Sequence, residues 1–70
     1  MISVDDIARL APFYDRYNNA LDPTSDDCLQ AKTQFENMVC TLHVARAAEV
    51  TFAEFRYELI RHCRAYLRKN

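Results

Sequence analysis

Apolar residues recur along this chain at intervals of three and four, the spacing that lines one face of an α-helix, and they do so in three separate runs. Ile7, Leu10, Tyr14, Tyr17 and Leu21 share the first stripe. Cys28, Ala31, Phe35, Met38, Leu42 and Ala45 share the second. The third run sets Phe52, Phe55, Leu59, Cys63, Tyr66 and Leu67 on one side with Ile60 at its edge. Tyr57, Arg61, Arg64 and Arg68 fall on the opposite side, so helix 3 is expected to be amphipathic with a basic outer face.

Polar residues between the runs mark helix starts. Ser3 stands three residues before Asp6, a variant of the capping box whose short carboxylate also complements the helix dipole, and helix 1 is expected from about residue 4. In the run Asp22, Pro23, Thr24 and Ser25, either Asp22 or Thr24 can cap helix 2, with Pro23 tolerated at a first helical position. Thr51 and Glu54 form a capping box for helix 3, and Val50 before it can staple against Phe55. Pro12 lies inside the first run. It lacks an N–H and its ring crowds the carbonyl four residues earlier, so a kink or break near Ala11 is expected. Helix 2 meets no breaker before Val50, which at about 1.5 Å per residue makes it roughly 40 Å long.

The chain has no glycine and two prolines, so tight β-hairpin turns lack their usual residues. Short connections make successive helices antiparallel neighbours. The expected fold is all-α: a three-helix up-down-up bundle with a long central helix, or a long hairpin with helix 1 folded across it. Its 70 residues leave room for one domain, 1–70, with no internal repeat or linker.

Composition sharpens this picture in two ways. Half the residues are apolar and 27% charged, which suits a folded globule rather than a disordered chain. A core this small stabilises a domain by only a few kcal/mol, so self-association would help. The formal net charge of -1 argues against general polyanion binding, yet the charge is divided. Six aspartates against two arginines leave residues 1–27 at -4, and seven bases against four glutamates leave residues 28–70 at +3. No run approaches the roughly 18 apolar residues of a membrane span. The odd number of cysteines, Cys28, Cys40 and Cys63, and the lack of a signal-like start point to a soluble protein in a reducing, cytoplasmic setting.

Candidate chemistry is sparse. Cys40 and His43, with His62 and Cys63 approaching from helix 3, suggest a zinc site. Adjacent residues on a helix point about 100° apart, however, so His62 and Cys63 do not readily reach one ion. The acidic set Asp5, Asp6, Asp22, Asp26 and Asp27 sits at helix starts, where carboxylates are ordinary caps. Phosphate-binding glycine loops and Ser/His/Asp signatures are absent, and the expectation is a non-enzymatic protein with no metal, cofactor or small-molecule substrate.

The basic stripe has a bland interpretation as a solvated face with Glu58 pairing to Arg61. It also has a functional one, as a contact for phosphates or an acidic partner. Arg56 falls within about 40° of Phe52 on the apolar side of helix 3. It is expected to snorkel past the core edge, pair with an acid of helix 1, or join a contact surface. Helix 1 carries consecutive aromatics, Phe13 and Tyr14, and cannot turn both inward. Exposed aromatics beside arginines are typical of interfaces, which makes Tyr57, Arg61, Arg64, Arg68, Arg56 and Phe13 the candidate partner-binding residues. The leading expectation is a small protein-protein interaction module, able to form a homodimer. The alternatives are a nucleic-acid-binding protein using Arg61, Arg64, Arg68 and Lys69, or a small phage or mobile-element accessory protein that inhibits a nucleic-acid machine. A helix-turn-helix is disfavoured because helix 2 is long and unbroken.

Overall fold

In the computed structural model, which describes residues 2–69, the amide of Asp6 donates to Ser3 Oγ at 3.1 Å and helix α1 runs from Val4 to Asn18. The break expected near Ala11 does not occur. Pro12 faces solvent and removes one rung of the hydrogen-bond ladder, while Leu10, Ala11 and Tyr14 around it are buried and hold the helix in place. Leu21 does not continue the stripe either. The helix ends at Asn19, whose N–H bonds Asp15 O and whose side chain donates to Asp15 Oδ1, and Leu21 lies beyond it, fully exposed.

The next helix, α2, spans Asp26–Arg46. Its cap is Ser25, whose Oγ accepts from the Cys28 amide at 3.2 Å, and not Asp22 or Thr24. Asp22 Oδ1 instead accepts from the Thr24 amide at 3.0 Å and the Thr24 hydroxyl at 2.6 Å. That closes an Asx turn ahead of the helix and moves its start past Pro23. The helix stops at Arg46, with the Ala47 N–H bonding His43 O, so it is about 32 Å long and shorter than expected, though still the longest of the three. The buried positions are Cys28, Ala31, Phe35 and Val39. From Phe35 a step of three or of four stays on the same side of a helix, and packing selects Val39 over Met38, which is half-buried, while Ala45 is exposed.

Helix α3, Phe52–Lys69, begins as expected. Thr51 Oγ1 accepts from the Glu54 amide at 3.2 Å, and Val50 packs against the core cluster that contains Phe55. Phe55, Leu59 and Cys63 face inward.

Contacts along the helices fix their directions. Cys28 Sγ meets Tyr17 O at one end of α2 and Arg46 meets Asp6 at the other, so α1 and α2 are antiparallel. Arg56 bonds Glu36 and His43 meets Phe52 edge to face, so α2 and α3 are antiparallel too. The result is an up-down-up three-helix bundle, in which α1 packs extensively on both other helices and these touch each other less. Leu10, Ala11, Phe35, Val39, Leu59 and Cys63 are buried at its centre. Tyr14, Tyr17 and Phe35 form an aromatic triad with centroids 5.4 to 5.7 Å apart. Among the described residues no helix is long and apolar enough to cross a membrane.

Candidate interaction surface

The outer face of α3 and the turn that precedes it carry most of the candidate contact residues. Tyr57 projects from the second turn of α3 and is 63% exposed. Beside it lies an open cleft of about 440 Å³, lined by Ile2, Ala47, Val50 and Phe55, with Arg46, Glu49, Glu54 and Glu58 at its rim. The turn beneath the cleft is clamped. His43 Nε2 donates to Val50 O at 2.6 Å, and the ring packs on Phe52 and Phe55 with centroids 5.6 Å away. Of the rim charges, Arg46 is paired with buried Asp6 at 3.0 Å, and Glu58 with Arg61 at 2.8 Å.

Toward the C-terminal end of α3 the surface becomes basic. Arg61, His62, Arg64, Ala65 and Arg68 line a shallow cleft of about 360 Å³. Arg61 Nη1 bonds both Glu58 oxygens, at 2.8 and 2.9 Å. Arg64 Nε donates to the hydroxyl of Tyr14 at 2.8 Å, a bond that raises the arginine's already high pKa. Both guanidiniums keep further N–H groups facing solvent. Arg68 is exposed.

Two candidate residues lie elsewhere. Arg56 pairs within the bundle. Its Nε and Nη2 make a bidentate pair with Glu36 of α2, at 2.6 to 3.0 Å and about two-thirds buried on both sides. The acid comes from α2, and not from helix 1 as expected, because α2 is the helix that Arg56 faces. Phe13 is half-buried against the core margin and Tyr14 is buried, so α1 turns its consecutive aromatics largely inward. Tyr57, Arg61, Arg64 and Arg68 are brought together on one exposed face.

The imagined zinc ligands are dispersed. Cys63 is wholly buried in the core, where desolvation pushes its thiol up to about 11, Cys40 is exposed, and His43 is committed to Val50. Among the described residues no group of three or more His, Cys, Asp and Glu side chains is placed to hold an ion. Asp5 and Asp6 occupy the first turn of α1, Asp26 and Asp27 that of α2, and Asp22 closes the turn between them.

Periodicity did not reveal the cleft, the His43 clamp or the Asp6–Arg46 pair. Each joins residues from different elements, and only the acid at a helix start and the histidine near a helix end were visible as local signals. Comparison with known proteins adds no functional guide: no protein family, no curated protein and no solved structure matches the chain.

Proposed function

We propose that this protein is a non-enzymatic protein-interaction module whose contact surface is the outer face of α3 with the cleft beside Tyr57. The observation that carries this reading is Tyr57 itself. It is a large aromatic side chain, 63% exposed, next to an apolar-floored cleft and bordered by charged residues, the arrangement of an interface anchor with a polar rim. The rigid His43 clamp supports it further, since a surface held in one shape binds with less ordering cost. The three cysteines are free thiols, two buried and Cys40 exposed, which suits a reducing, cytoplasmic setting.

A photo-crosslinking amino acid placed at Tyr57 in cells tests the reading, with exposed Gln30 on α2 as the control site. Crosslinked products from position 57 and none from position 30 are expected. Equal crosslinking at the two sites, or none at 57, overturns it.

The basic cleft favours a second reading, nucleic-acid binding through Arg61, Arg64 and Arg68. Such binding weakens steeply with salt as counterions are released. Failure to bind heparin at low salt disposes of it.

A further inference from the structure

The outer face of α3 is divided by charge. Glu54 and Glu58 occupy its first half, with Glu49 just before the helix, and Arg61, Arg64, Arg68 and Lys69 occupy its second. Arg56, the one base in the first half, is neutralised by Glu36 off this face. The helix dipole favours an acid in the first turn and bases in the last, but its influence fades within a turn. It accounts for Glu54, Arg68 and Lys69. Glu58 and Arg61 pair with each other within the helix and Arg64 bonds the Tyr14 hydroxyl, yet all three keep part of their charge at the surface.

A uniformly basic partner would meet repulsion from the second half of this face, and a uniformly acidic one from the first. A partner that suits both halves carries the same two charges in reverse order, and this chain run antiparallel to itself does so. We infer that the occupant of this face is a second copy of the chain, its α3 lying antiparallel across a two-fold axis at Arg61. This inference rests on the interaction reading above and names its partner.

The spacing of the residues supports that register. Glu54 and Arg68 lie equally far on either side of Arg61, about 10 Å along the helix, and Glu58 and Arg64 about 5 Å. Antiparallel pairing about Arg61 therefore sets each Glu54 opposite the other copy's Arg68, while Glu58 and Arg64 fall on the two flanks of the seam. The two-fold repeats the Glu54–Arg68 pair, as a self-complementary interface requires. Tyr57 comes beside the other copy's Arg64 on the same flank, where a cation can lie over the face of the ring. The two copies of Arg61 meet at the axis. Each already shares its charge with its own Glu58, which lowers the repulsion there.

The test uses charge reversal and mixing. Sedimentation equilibrium of the full chain at low salt, from about 1 to 500 µM, is expected to show a monomer–dimer equilibrium. Glu54→Arg and Arg68→Glu are each expected to raise the dimer Kd about tenfold or more, because each sets like charges opposite one another. An equimolar mixture of the two variants is expected to regain wild-type association as a heterodimer, with both pairs restored. Arg61→Leu is expected to tighten the dimer. Because a misfolded variant is not rescued by mixing, recovery also shows that both variants fold. A wild-type monomer throughout, a dimer indifferent to both reversals, or a mixture that is not rescued overturns the inference. If the chain is monomeric while position 57 still crosslinks a different protein, this inference falls and the interaction reading stands. If position 57 crosslinks nothing, the interaction reading falls with it.

Discussion

Asp6 is the one charged side chain in the buried set among the described residues, and its surroundings satisfy it only in part. Arg46 Nε lies 3.0 Å from Oδ2, but its N–H is not aligned on that oxygen, which is left without a hydrogen-bond donor. Charge attraction alone holds the pair, screened by water because the arginine is half-exposed. Arg46→Ala is expected to lower the unfolding free energy by about 1–2 kcal/mol in urea denaturation, less than the roughly 3–5 kcal/mol for a fully buried pair. The separate double variant Asp6→Leu with Arg46→Met is expected to escape that loss, since it removes the buried charge along with its partner. Cys63 tests burial in a different way. Its thiol is raised to about 11 by desolvation from an ordinary 9.0, so between those values the folded state holds a proton that the unfolded state has released. Stability contributed by the neutral thiol is fully present below pH 9 and is lost as pH rises through about 11. The expected outcome is a fall in melting temperature across that window, part of it absent in Cys63→Ala. Tyr17, also raised by burial, accounts for a remainder of the same sign. At this scale the sequence shows which residues are out of place but not what they meet. Arg56 stood out on the helical wheel, yet its partner Glu36 lies 20 positions away on a helix whose rotation periodicity does not specify.

Helix starts were legible wherever one hydroxyl had one helix to cap, as Ser3 and Thr51 do. Four capping-type residues in a row between α1 and α2 defeated the same logic, because Asp22 satisfied Thr24 and left Ser25 to begin the helix. Pro12 shows the opposite limit. Its local cost was legible, but the burial of Leu10, Ala11 and Tyr14 outweighs it and keeps α1 whole. That balance implies stored destabilisation. Pro12→Ala restores the missing N–H toward the Ala8 carbonyl at an exposed position, and it is expected to raise the unfolding free energy by about 1–3 kcal/mol. In thermal melts this is a rise of roughly 5 °C or more for a domain of this size. A neutral or destabilising outcome would mean that the ring of Pro12 makes packing contacts that outweigh the restored bond.

The whole molecule depends on α1 more than chain order suggests. The sequence pointed to a three-helix bundle and left open a long hairpin of helices 2 and 3 with helix 1 folded across it. In the structure α1 is the common partner: it packs on both other helices, and they have less contact with each other. Ile7, Leu10, Ala11 and Tyr14 from α1 meet Phe35 and Val39 from α2 and Leu59 and Cys63 from α3 in one cluster. The charge division of the chain acts in the same direction, since the acidic segment 1–27 contains α1 and the basic segment contains most of α2 and all of α3. A fragment beginning at residue 20 would expose that cluster along its length, and the two remaining helices have too little mutual burial to offset the entropy of ordering them. Circular dichroism is expected to show weak helicity and no cooperative melt for the fragment. A synthetic peptide of residues 1–19 added to it should restore both, in proportion to its concentration. A fragment that melts cooperatively by itself would instead make the hairpin the folding unit and reduce α1 to an attached strut.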